Sequence, residues 1–139
     1  MNKKVVIITA LAAAIGSVMG SFVYRSLVGG SATFDKVLVE ASSEMNKNLP
    51  MMLDKETRLV TTIPSPGNNL TYVNILVNYS AAELDTNKLR EVLTPGIIAN
   101  YKTQAGMERF RKQEVVLHYQ YKDKDGNFLF EIVVSPKDF

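Results

Sequence analysis

A chain of 139 residues is long enough for one domain, and this one contains no cysteine. That excludes a disulfide framework, a thiolate zinc site, an iron–sulfur cluster, a nucleophilic cysteine and a lipid-modified cysteine. The net charge of +2 resides at the N-terminus, because residues 1–30 carry Lys3, Lys4 and Arg25 and no acid, leaving 13 basic against 14 acidic residues beyond them. A remainder of net charge −1 lacks the clustered basic face that nucleic acid rewards.

The first element is apolar. Residues 5–24 run without a formal charge, and as a helix they are about 30 Å long, enough to cross a hydrocarbon core. Lys3 and Lys4 lie before the span and only Arg25 lies close behind it. This predicts a single-pass anchor in the inner membrane with a cytoplasmic N-terminus and an exported domain. The same residues also fit a secretory signal peptide cleaved after Gly20, with Val18 and Gly20 as its small residues, which gives a periplasmic or secreted product. Phe22, Val23 and Tyr24 continue the apolar run past that point, and Tyr24 with Arg25 reads as an interfacial pair, so retention is the preferred reading. Ala12, Gly16 and Gly20 recur every four residues and share one helix face. This is the pattern that lets two membrane helices approach closely and form a homo-oligomer.

Gly29, Gly30 and Ser31 break the helix and divide the chain into an anchor or signal segment, residues 1–30, and an exported domain, residues 31–139. Phe34, Val37, Leu38, Ala41 and Met45 then form an apolar stripe at helical spacing, with Ser31 or Thr33 as a cap and Pro50 beyond the end. Residues 56–63, "ETRLVTTI", read as a strand, "PSPGNN" as a turn, and residues 70–79, "LTYVNILVNY", as a second strand. Its core face is expected to be Val73, Ile75, Val77 and Tyr79, and its mixed face Tyr72, Asn74, Leu76 and Asn78. Helical residues follow from 80 on, with Ser80 or Asp85 as caps, a new turn opened by Thr94 and Pro95, a division near Gly106, and cations at the end in "RFRK". Residues 114–121, "EVVLHYQY", and 128–135, "FLFEIVVS", read as a hairpin around Asp125-Gly126. Val115, Leu117, Tyr119 and Tyr121 on one strand and Phe128, Phe130, Ile132 and Val134 on the other are the predicted core faces, and Pro136 ends the ladder.

The order α-β-β-α-β-β predicts an α+β domain, a four-stranded antiparallel sheet with helices on one face. The arrangement is similar in shape to cystatin-type and related small exported folds.

No residue set carries chemistry. An EF-hand loop has Gly sixth and Glu twelfth, whereas counting from Asp123 in "DKDGN" Gly126 is fourth and Glu131 ninth. His118 is the sole histidine and shares a mixed strand face with Val116, Gln120 and Lys122, with no local partner for nucleophilic or metal chemistry. Met45, Met51 and Met52 suggest a soft metal site less than they suggest gap filling in a core. Glycine-rich phosphate loops and nucleophile elbows are absent from the sequence. Asn69 and Asn78 begin formal glycosylation triplets. The chain is therefore read as a non-enzyme without cofactor, and an enzyme would need distant residues to converge on His118.

Residues 46–59, "NKNLPMMLDKETRL", followed by residues 66–79, "PGNNLTYVNILVNY", resemble small uncharacterised bacterial envelope proteins that carry a leader and one such domain. The resemblance implies an envelope setting and no particular activity. The residues themselves predict an exported domain that binds another envelope protein or serves as an accessory subunit of a membrane assembly. A diffusible periplasmic inhibitor or immunity-like protein is the alternative if the leader is cleaved. Tyr72, Asn74, His118 and Gln120 are the expected contact surface, because aromatics beside amides suit an interface.

Overall fold

The computed structural model describes residues 34–139. The expectations for residues 1–33, including the span 5–24, Ala12, Gly16, Gly20 and the caps Ser31 and Thr33, lie outside the described residues. Among the described residues no helix is long and apolar enough to cross a membrane.

Helix α1 (Phe34–Asn46) buries Leu38, Ala41 and Met45 of the stripe expected from its spacing, together with the polar Ser42, and leaves Phe34 and Val37 half-buried. Strands β1 (Met51–Met52), β2 (Thr57–Ser65) and β3 (Asn69–Leu76) follow. Helix α2 (Thr86–Thr103), a tight turn at Ala105–Met107 and helix α3 (Glu108–Lys112) lead to β4 (Val116–Lys122) and β5 (Phe128–Val134). The division at Gly106 is where it was expected.

The sheet has five strands in the order β1-β2-β3-β4-β5, and β3 and β4 run parallel. This corrects the expected four-stranded antiparallel sheet in two respects. Met51 and Met52 pair with Leu59 and Arg58 and add a short edge strand. The long connection between β3 and β4 permits the parallel pair, because parallel neighbours need a crossover of a dozen or more residues, usually helical, and α2 with α3 supplies it. The other pairs are antiparallel.

Helix α2 is continuous through Pro95, where a fresh start was expected. Asp85 caps its N-terminus by accepting from the Lys88 amide at 3.1 Å. Pro95 costs one helical hydrogen bond, but Glu91 and Pro95 both lie on the exposed side, so the freed carbonyl faces solvent. At its far end, Arg111 donates to the carbonyls of Tyr101 (2.9 Å) and Gln104 (2.7 Å), satisfying acceptors that a helix end leaves open.

Leu38, Met45, Leu89, Leu93, Ile97, Tyr101 and Phe110 from the helices meet Leu59, Leu70, Tyr72, Leu117, Tyr119, Tyr121, Phe130, Ile132 and Val134 from the sheet. All helices thus cover one sheet face. The assignment for β3 is inverted relative to expectation: Leu70, Tyr72, Asn74 and Leu76 face the helices, while Val73 and Ile75 lie on the other side. The larger side chains fill the space under the helices. Asn74 donates its Nδ2 to the carbonyls of Tyr72 (3.4 Å) and Gln120 (3.3 Å), while its Oδ1 is buried without a hydrogen-bond partner. The predicted faces of β4 and β5 hold except at Phe128. A bulge between Tyr121 and Lys122 in the β4–β5 register turns Phe128 outward to 59% exposure.

Two polar clamps set α1 on the sheet. Asp35 accepts from the Asn68 amide at 2.8 Å and the Gly67 amide at 3.3 Å, tying the first helical turn to the β2–β3 turn. That turn needs left-handed backbone at Gly67 (φ 87°) and Asn68 (φ 60°), which glycine and asparagine tolerate best. Asn46 accepts from the Thr62 amide at 2.8 Å and donates to the Thr62 carbonyl at 3.0 Å. Since β1 pairs only with Leu59 and Arg58, the Asn46 amide takes the place of a neighbouring strand at Thr62.

Candidate protein-interaction face

Side chains directly opposite across a sheet share a face, so the register builds the uncovered face row by row. Met52, Arg58, Ile75, Lys122 and Phe128 form one row across all five strands. Thr61, Val73, Gln120 and Glu131 form the next, and Ile63, Thr71, His118 and Val133 the third. Ile63 (49% exposed), Val133 (52%) and Phe128 (59%) are large apolar side chains left open on this surface. A single exposed Val or Ile needs no explanation, but three large apolar side chains beside polar ones on one sheet face make it the candidate contact surface.

His118 lies on β4 in the third row. Its Nδ1 lies 2.6 Å from Glu131 Oε1 and its Nε2 lies 2.9 Å from Asn69 Oδ1. The Asn69 amide donates its Nδ2 to the carbonyls of Pro66 (2.9 Å) and Gly67 (3.3 Å), which turns its oxygen to the ring. Both ring nitrogens therefore face acceptors. A doubly protonated ring makes both bonds, and a neutral ring makes one. The string Asn69–His118–Glu131 ties β3, β4 and β5 together on the open face.

The expected contact surface is therefore divided by the sheet. His118 and Gln120 lie on the open face, whereas Tyr72 and Asn74 are both 0% exposed beneath the helices. The inverted face of β3 puts Tyr72 and Asn74 there. Tyr72 packs on Tyr119 with ring centroids 5.0 Å apart, and burial, with Tyr119 and Tyr101 nearby, pushes its hydroxyl well above the usual phenol range. Asn69, Glu131, Ile63 and Val133 belong to the open surface but carried no signal until β3 was placed parallel to β4, which aligns Asn69 with Val116 and Thr71 with His118.

The calcium reading of "DKDGN" ends in a structural role. Asp123 is buried, and its carboxylate accepts from the Ala81 amide (2.9 Å), the Asp125 amide (2.9 Å), the Asn127 amide (2.8 Å) and Asn127 Nδ2 (3.1 Å). The carboxylate thus closes the β4–β5 turn and fastens it to the start of the crossover. Gly126 adopts φ 87°, as the hairpin turn requires. Burial alone would raise the Asp123 pKa, but the hydrogen bonds from Asn127, Ala81 and Asp125 outweigh it and hold the carboxyl below its ordinary range. A carboxyl with a lowered folded pKa contributes stability above its unfolded value, about 3.9, and loses it as pH falls through the folded pKa. Thermal melts are expected to show stability falling below about pH 4. Asp123→Asn should be less stable at neutral pH and show a shallower acid limb. Parallel acid limbs for the two proteins would contradict this role.

Among the described residues no group of three or more His, Asp or Glu is placed to hold a metal ion. The sequence matches no protein-family model and no curated protein. Solved structures share the fold. A Pseudomonas aeruginosa protein described as secreted aligns with a TM-score of 0.61 at 14% identity, over 76% of this chain and 95% of its own. The type II secretion system pilotin AspS from Vibrio cholerae aligns at 0.57 and 9% identity, over 88% of this chain and 99% of its own. The pilotin EpsS from the Vibrio vulnificus type 2 secretion system aligns at 0.58 and 10% identity, over 85% of this chain and 94% of its own. At these identities the likeness is one of fold.

Proposed function

We propose that this chain is a non-enzymatic accessory protein of the bacterial cell envelope that binds another envelope protein through the open face of its sheet. The observation that carries the reading is the asymmetry of the sheet. One face is sealed by helices, and the other presents Ile63, Val133 and Phe128 beside the Asn69–His118–Glu131 string. The fold shared with two type II secretion system pilotins supports an accessory role in an envelope assembly. Residues 5–24 hold the protein at the inner membrane and place the domain on the exported side. The likeness to a secreted protein favours cleavage after Gly20 as a second reading.

Intact mass spectrometry of the protein from membrane and soluble fractions of its native host tests the tethering. A full-length species in the membrane is expected. A soluble species beginning at Ser21 would replace the tethered subunit with a diffusible binding protein. In either case affinity capture from the envelope is expected to retain a protein partner at constant stoichiometry, and capture of the chain alone would count against the binding role.

A further inference from the structure

The two edges of the sheet are finished differently. At one edge β1 is only two residues long, Pro50 precedes it, Pro64 interrupts the donors of β2, and the Asn46 side chain covers Thr62. Short strands, prolines and covering groups are the usual protection of a sheet edge. At the other edge β5 reads "FLFEIVV" and pairs only with β4. It has no proline and no lysine, and its one charge, Glu131, is engaged with His118 at 2.6 Å. Among the described residues no hydrogen bond is made to its outer side. Phe128 and Val133, 59% and 52% exposed, flank this bare edge.

We propose that the β5 edge is a self-association site, at which two copies pair their β5 strands antiparallel about Ile132 and join two five-stranded sheets into one. The register follows from face and charge. Pairing about a two-fold axis normal to the sheet keeps residues of one face opposite each other. Centring on Glu131 would oppose two carboxylates, which is unfavourable. Centring on Phe130 would oppose Ile132 to Phe128, which the bulge places on the other face. Centring on Ile132 opposes Phe130 to Val134 on the helix-covered side and Glu131 to Val133 on the open side, with no like charges in contact. A second copy suits the edge because residues 31–139 carry a net charge of only −1, so two copies meet with little long-range repulsion. A pairing of this length is at the small end of specific interfaces, so dimerisation is expected at micromolar concentrations. It requires neither the open-face partner nor residues 5–24.

Sedimentation equilibrium of the full chain in density-matched detergent tests the site. A monomer–dimer equilibrium is expected across the micromolar range. Val133→Glu sets a carboxylate against Glu131 twice by symmetry and should weaken the dimer about tenfold. Val133→Lys sets an ammonium there and should leave it as tight or tighter. Gly16→Leu, which interrupts the small-residue spacing of Ala12, Gly16 and Gly20, should leave it unchanged. Val133 is exposed, so both variants should melt like the parent. A monomer at all concentrations, a dimer lost with Gly16→Leu, or equal responses to Glu and Lys at position 133 would each overturn the proposal. A chain that is monomeric alone but gains amide protection along β5 in its native envelope would assign the edge to a strand of another protein instead.

Discussion

Tyr101→Ala is expected to remove most of the domain's stability. Tyr101 is fully buried on α2, its hydroxyl donates to the Val115 carbonyl at 2.6 Å, and its own carbonyl accepts from Arg111 at 2.9 Å. The ring also meets Phe139 edge-on at 5.8 Å. It thus joins the crossover helix, the start of β4 and the C-terminus. Deleting a buried aromatic ring costs about 3–5 kcal/mol. Leaving the Val115 carbonyl buried without its donor adds about 1–3 kcal/mol. Together these rival the whole stability of a small domain. Tyr101→Phe keeps the ring and should cost only about 1–3 kcal/mol, the hydrogen-bond part. Burial, opposed by nearby Arg111, holds the hydroxyl far above the usual phenol range, so it stays protonated and donating at ordinary pH. Urea denaturation of both variants separates the parts. An alanine variant as stable as the phenylalanine variant would mean that the crossover does not depend on this ring.

Ile63→Asp is expected to weaken partner binding by about thirtyfold or more while leaving the domain folded. Ile63 is 49% exposed on the open face, two strands away from His118 and three from Val133. Exposed substitutions of this kind change stability by about 0.5 kcal/mol or less. A carboxylate at an apolar contact must be desolvated without a partner, and central contacts of an interface are worth about 2 kcal/mol or more. Affinity should therefore fall by about thirtyfold or more. Val92→Asp is the control, because Val92 is 39% exposed on α2, on the helix side of the sheet. Equal loss from both variants would place binding elsewhere or point to a general effect of charge.

Local pattern made the elements legible and left their pairing open. The stripe of α1, the split at Gly106 and the β4–β5 hairpin around Asp125-Gly126 are written in spacing and turn chemistry. The parallel pairing of β3 and β4 is not, because adjacency in a sheet depends on how the crossover packs, and nothing within either strand encodes it. The inverted face of β3 has a similar cause: Val73, Ile75, Val77 and Tyr79 outnumber their neighbours as apolar residues, but Leu70, Tyr72 and Leu76 fill more space under the helices. This error split the expected surface, since Tyr72 and Asn74 followed the core while His118 and Gln120 stayed outside. The His118 contacts were invisible for the same reason: Asn69 lies 49 residues away and Glu131 13, and only the sheet register brings them to the ring. Phe128 was misplaced by one bulge.

The most direct test of the open-face account is site-specific photo-cross-linking in the native envelope, with a photoreactive phenylalanine analogue at position 63 and, separately, at position 92. A discrete adduct with one envelope protein from position 63 and none from position 92 is the predicted result. Adducts from position 92 alone would put the partner on the helices and contradict the assignment of the open sheet face.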